Sequence, residues 1–348
     1  MAYTTIDKPS ATAFNTKLYT GTRATTSITG VGFQPDFTWI KDRDNGNNQC
    51  WFDSVRGVNK VILSNATNAE TTYANSLTAF NSDGYTIGSD TEGQMNVSGD
   101  AHASWNWKAG GTAVSNTDGS ITSSASANAT AGMSIVSFTG TGANATVGHG
   151  LSTAPKMIIF KNRPQAEGWI VYHQAISNTH FLTLNTSGVA VDNATMFNDT
   201  SPTSSVFSVG SNHGTNGTSH AMIAYCFADV QGYSKFSSYV GNGSSDGVFC
   251  YTGMKPSFVM IKATGLTENW WIMDSKRTPN NAVNKLLQAN LSNAEVVDNA
   301  NLPMDMLSNG FKTRGIDGAI NSSGQTYIYM AFAEAPLVGT NNVPCTAR

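Results

Sequence analysis

The apolar positions of this chain fall in short runs, and the runs recur. "FTWIK" (37–41), "KMIIFK" (156–161) and "FVMIK" (258–262) are compact, β-branched or aromatic, and follow closely on Pro35, Pro155 and Pro256. Proline suits the start of a strand and is poorly tolerated in its middle. "SIVSF" (134–138), "GWIVY" (168–172), "WWIMD" (270–274) and "TYIYMAF" (326–332) read the same way. Gly- and Asn-rich turns such as "DNGNN" (44–48), "NSDG" (81–84) and "GNGSSDG" (241–247) separate them. Short strands at this spacing predict an all-β chain of sandwich or barrel type. One stretch departs. "NNAVNKLLQANLSNAE" (280–295) carries Val283, Leu286, Leu287 and Leu291 at helix-like spacing and predicts one short helix.

The runs keep register over long distances. Aromatic-x-Gly phrases end at Gly21, Gly140 and Gly241, and each is followed by one of the three prolines. Six residues after each proline stands Lys41, Lys161 or Lys262, and eight to ten further on come Trp51, Trp169 and Trp271. Matched landmarks at near-constant offset are the signature of an internal repeat. The expected fold is three tandem, internally repeated antiparallel β-sandwich modules, jelly-roll or lectin-like, with little helix. Their predicted bounds are 18–110, 134–232 and 233–348, the last including a C-terminal tail. Residues 1–17 are left over as an N-terminal docking segment, and 111–133 form an extended crossover or linker. "GTGANATVG" (140–148) reads as a hairpin loop rather than a phosphate cradle.

Composition narrows the function. Charged residues make up 12% of the chain, about half the usual share, and Ser, Thr, Asn and Gly fill the difference. The net charge is −3 and there is no basic block, so a nucleic-acid partner is not expected. No apolar stretch is long enough to span a membrane, and "MAYTTIDKPSATAF" (1–14) lacks the pattern of a secretory signal. The four cysteines show no metal-ligand spacing; small buried thiols are expected.

Chemistry-bearing motifs are sparse. Asp42, Asp44 and Gly46 mimic the start of a calcium loop without its closing Glu, so a turn is expected there. Asp53 and Asp274 match in "FDS" and "MDS", with Tyr172 as their expected counterpart, and bonding to a turn or backbone amide is the reading for both. No catalytic residue, cofactor or metal is expected. Trp51, Trp169 and Trp271 read as module core. Trp270 lacks a counterpart at that alignment and points opposite Trp271 on a strand. Trp270 and Trp39 are therefore the candidate exposed indoles for stacking on a sugar ring; sealing module interfaces is the preferred competing role.

The phrases "GFQPDFTWIKDR", "FDSVRG", "NSDGYTIGSD", "GYSKFSSYVGNGSSDGVFCYTGMKPSFVMIK", "LSNGFKTRG" and "TYIYMAFAEAP" resemble a family of structural, tail-fibre-like proteins of marine tailed phages, over nearly the whole chain. The resemblance implies a non-enzymatic virion component, assembled in the host cytoplasm and exposed on the particle. It implies adhesion to the host surface, with other virion proteins and host-surface glycan as partners. A homo-oligomer is expected, a trimer by preference. A capsid decoration protein, a carbohydrate-binding module protein and a glycan depolymerase are the alternatives. The family brings no catalytic residues to carry over.

Overall fold

The computed structural model describes Thr4 and residues 6–346; residues 1–3 and 5 of the expected docking segment and residues 347–348 lie outside them. The fold is all-β, built from antiparallel sheets with a few four-residue helical turns.

Three large sheets share one strand order. In the first, Phe14–Thr20, Ala101–Trp107, Phe37–Asp42, Cys50–Asp53 and Lys60–Leu63 lie side by side, with Thr71–Thr72 at the edge. In the second the same places are taken by Met133–Thr139, Ala221–Phe227, Met157–Asn162, Ile170–His173 and His180–Thr183, with Val191–Asp192 at the edge. In the third they are taken by Ser234–Val240, Thr326–Pro336, Met254–Ala263, Trp271–Asp274 and Leu286–Gln288. Each large sheet is faced by a small one, holding Thr26–Thr29, Ala145–Gly148 and Phe249–Tyr251 respectively. We number the three units modules 1, 2 and 3.

Several boundaries differ from those read off the sequence. The first strand starts at Phe14, inside the expected docking segment, because Phe14 packs against Trp107 and stacks on Phe332 in the core. The expected linker 111–133 contributes two strands, Val114–Asn116 and Ser123–Asn128, which extend the sheet of module 2. "GTGANATVG" is not a hairpin: it carries the chain from the large sheet of module 2 to its small one. The expected helix at 280–295 is also absent. Leu286–Gln288 pairs with Trp271–Met273 as a strand, and Val283 bridges to Met304. Val283, Leu286 and Leu287 are all buried, so their spacing reflects an extended path between two layers, not one helical face. In module 3 the strand begins at Met254, ahead of Pro256, and the proline sits where the register slips. A bulge tolerates a missing N–H, which a regular ladder does not.

Every residue of Phe37–Asp42 and of Met157–Asn162 is buried. Ile40 and Phe52 face inward against Ile28 and Tyr85 of their small sheet, as Ile158 and Phe160 do against Val147 and Phe207. The opposite faces, with Phe37, Trp39, Met157, Ile159, Phe258 and Met260, enter a single cluster shared by all three modules. A strand covered on both sides reads as a continuous apolar run, and that is why these segments do not alternate. Rings meet across modules there: Phe37 on Tyr225 at 4.8 Å, Trp51 on Trp169 at 4.7 Å and Trp107 on Phe258 at 5.9 Å.

Candidate functional site

The polar groups that stand out in the sequence gather at the three seams between modules. Strand pairing sets the correspondence: Phe37 lies opposite Asp53, Met157 opposite His173 and Phe258 opposite Asp274. His173, not Tyr172, is therefore the match of the two aspartates. Counted back four residues, the matching donors are Gln49, Trp169 and Trp270, which corrects the alignment of Trp51 with Trp169 and Trp271. A side-chain N–H is the shared property, carried by an amide in one module and an indole in two.

Those donors close a ring. Gln49 Nε2 of module 1 donates to Leu291 O of module 3 at 3.0 Å. Trp270 Nε1 of module 3 donates to Thr183 O of module 2 at 3.1 Å, and Trp169 Nε1 of module 2 donates to Leu63 O of module 1 at 2.9 Å. Backbone amides repeat the cycle. Glu70 N donates to Arg163 O at 2.7 Å, Ala190 N to Thr264 O at 2.8 Å and Glu295 N to Arg43 O at 2.7 Å. The strand-end residues do so again. Asp53 accepts from Tyr225 Oη at 2.7 Å, Asp274 accepts from Trp105 Nε1 at 3.1 Å, and His173 Nε2 meets Tyr329 O at 3.3 Å.

Two seams carry buried charge. Between modules 1 and 2, Arg56 joins Asp53 to Glu70, which is held in turn by Arg163 at 2.9 Å. Between modules 3 and 1, Arg277 joins Asp274 to Glu295, which is held by Arg43 at 2.7 Å. Each network has two acids and two guanidinium groups, so its charge cancels. Burial pushes the Glu70 carboxyl up, but hydrogen bonds and charge from Arg163 and Arg56 outweigh it and hold Glu70 below the usual carboxylate range. Burial opposes the charge on Arg56 and Arg277, and Asp53 and Asp274 more than restore it. The turn bonding expected of the aspartates is present: Asp53 Oδ1 accepts from Val55 N and Arg56 N, and Asp274 Oδ1 from Lys276 N and Arg277 N.

Trp270 and Trp39 are each 1% exposed. Neither is available to a ligand, which corrects the stacking role considered for them; Trp270 seals a seam, and Trp39 Nε1 donates to Gln49 Oε1 at 2.7 Å. Lys41, Lys161 and Lys262 are also buried. Each ammonium caps carbonyls of its own hairpin loop (Asn45 O, Gln165 O and Leu266 O), and Lys161 adds Thr67 O of module 1 at 2.8 Å. Burial lowers the pKa of each to about 8, while the carbonyl acceptors favour the charged form. The Asp42 carboxylate accepts from Asp44 N, Asn45 N and Asn47 Nδ2, so its own turn occupies it.

A second repeated device escaped the sequence reading. Asn96, Asn216 and Asn321 are buried, and their Nδ2 groups bridge Ala24 O with Gly88 O, Ala143 O with Gly210 O, and Ser244 O with Gly315 O. Each ties together two loops at one end of its module. The signal was present as an asparagine near the end of each copy, but in an Asn-rich chain no single asparagine stands out. Gly21, Gly140 and Gly241 lie beside these staples. A Cβ there would sit 2.0–2.3 Å from a carbonyl oxygen of the stapled loop, so the aromatic-x-Gly landmark records a close backbone approach.

Among the described residues no group of three or more His, Cys, Asp or Glu is placed to hold a metal, and no helix is long and apolar enough to cross a membrane. Cys50, Cys226 and Cys250 are buried free thiols. A family model described as a domain of unknown function (DUF7483) matches residues 8–336. Neither a curated protein nor a solved structure matches the chain.

Proposed function

The chain belongs to the family described as a domain of unknown function (DUF7483), and from there we propose that it is a non-catalytic structural component of a phage virion, tail-fibre-like, exposed on the particle and contributing to host-surface adhesion. One observation carries the proposal. The ion networks, anchored on the buried pairs of Asp53 with Arg56 and Asp274 with Arg277, and the three indole or amide donors all close the ring of modules. Groups engaged in this way serve rigidity, and the asparagine staples extend that rigidity to the loops. A stiff body with fixed, hydroxyl- and amide-rich loops is suited to presenting weak contacts that gain strength through many copies on a particle. The resemblance of the sequence to phage structural proteins supports the same reading.

Other virion proteins and host glycan are the partners in this proposal, and the virion surface its location. A fibre ordinarily obtains threefold geometry from three chains. Here a cyclic arrangement is present within one, so the proposal does not require the homotrimer; light scattering of the purified chain decides between monomer and trimer. Mass spectrometry and antibody labelling of purified particles of the encoding phage test the main claim. Stoichiometric chain on tail or head supports it, and a chain found only free in the lysate overturns it.

A further inference from the structure

The three small sheets share two matching strands, to which modules 1 and 3 add a third, and one of the sheets bears a surface that the other two lack. In module 3, Phe249 and Tyr251 stand either side of buried Cys250 and are 44% and 56% exposed. Across the sheet they face Lys312 and Gly310. At the matching places module 1 has Ser27 and Thr29 around buried Ile28, facing Thr86 and Gly84. Module 2 has Thr146 and Gly148 around buried Val147, facing Ser208 and Val206. In modules 1 and 3 the middle residue alone of the trio is buried, and in module 2 the small Gly148 is buried beside it. Modules 1 and 2 form the same strand pair without large rings at these places, and leaving two rings half in water forgoes about 25 cal/mol per Å² of apolar surface that burial would have supplied.

A cleft of about 310 Å³ adjoins Tyr251, lined among others by Asp229, Gln231, Lys235 and Thr252; ligand-sized sites start near ~300 Å³. The charges around the rings are paired. Lys235 lies 2.6 Å from Asp229, Lys312 2.5 Å from Asp246 and Arg314 2.6 Å from Asp305. Donors and acceptors are thus abundant while the local charge cancels. Residues two apart on a strand are roughly 6.5–7 Å apart on one face, so the rings form a short platform. Pyranose rings offer apolar C–H faces to stack on aromatic faces, and hydroxyls that both donate and accept. A polyanion would call for unpaired cations. Two half-exposed rings offer on the order of 200 Å², well short of the roughly 800 Å² a side that a stable protein interface buries.

We infer that the small sheet of module 3, at Phe249 and Tyr251 with the adjoining cleft, is a binding site for a neutral oligosaccharide. The inference rests on the adhesion reading and names its ligand class. The test is the intact chain on a printed array of neutral and acidic glycans, beside the double variant F249S/Y251T, which writes module 1's residues into module 3. Binding to neutral glycans, insensitive to salt and reduced at least tenfold in the double variant, is the expected result. V114S, at an exposed position of module 2, serves as control and binds as wild type. An unchanged double variant, a preference for acidic glycans, or no binding by the wild type each overturns the site. Circular dichroism and melting confirm that the variants fold. Particle-associated chain without glycan binding defeats this site and leaves the virion role standing; glycan binding by a chain absent from particles does the reverse.

Discussion

The seam between modules 1 and 2 and the seam between modules 2 and 3 solve one problem with opposite chemistry. At the first stand Asp53, Arg56, Glu70 and Arg163, joined as one ion network that is buried at Asp53 and Arg56 and partly exposed at Glu70 and Arg163. Counting from Pro155 and Pro256, the same places at the second hold His173, Ile176, Ala190 and Thr264. All four charges are replaced together. Ile176 and Ala190 pack against the shared core, and His173 is fully buried with burial lowering its pKa to about 4. The cross-seam amide bond, the indole or amide donor and the strand-end contact occur at both. Ring closure therefore depends on those three contacts, and the ions are one of two ways to fill the space around them. That agrees with buried ion pairs being replaceable as a set and costly to break singly.

The largest expected effect comes from breaking a charged seam at one residue. Arg56→Met leaves the buried Asp53 carboxylate without its guanidinium partner and should lower stability by about 3–5 kcal/mol in urea denaturation. Ile176→Ala at the neutral seam should cost about 1 kcal/mol. Equal losses would erase the contrast.

Acid should separate the seams next. His173 must be neutral in the folded chain, so its contribution is intact above pH 6.5 and is lost as pH falls from 6.5 toward 4. The full effect is on the order of 3 kcal/mol. Glu70 has a lowered pKa, so its contribution is present above the ordinary carboxylate range and is lost only below it. His102 and His149 are lowered by burial too, so the comparison is wild type against His173→Asn. The variant's melting temperature should fall less steeply between pH 6.5 and 4, and parallel curves would refute the assignment.

A smaller effect is expected from transplanting one seam into the other. The variant D53H/R56I/E70A/R163T should lose about 2 kcal/mol or less, less than Arg56→Met alone. A larger loss would show that the charges are indispensable. Smallest is Trp270→Phe, which removes one cross-seam donor and should cost about 1 kcal/mol in thermal denaturation.

Much of the fold was legible because it is local. Prolines near strand starts, β-rich runs and glycine turns act within a few residues, and they identified an all-β chain. The seams act between positions far apart in sequence, such as Gln49 with Leu291, and nothing local announces them. The tryptophans misled for a related reason. Aligning Trp51 with Trp169 matched residue type, whereas strand register matches Trp169 with Gln49, a different side chain with the same N–H. Trp270 then looked unmatched and free, although it belongs to a set of three. The helix-like spacing at 280–295 failed because both layers around an extended segment take apolar residues.

The three modules close into one ring through the cross-seam bonds. Native-state hydrogen exchange at Glu70, Ala190 and Glu295 is the decisive measurement of that closure, since these amides make the matched cross-seam bonds. At neutral pH all three should exchange only through global unfolding, with the same free energy, and Ala190 should lose protection first on acidification. Rapid exchange at any of the three in the neutral, folded chain would mean separate modules and an open ring.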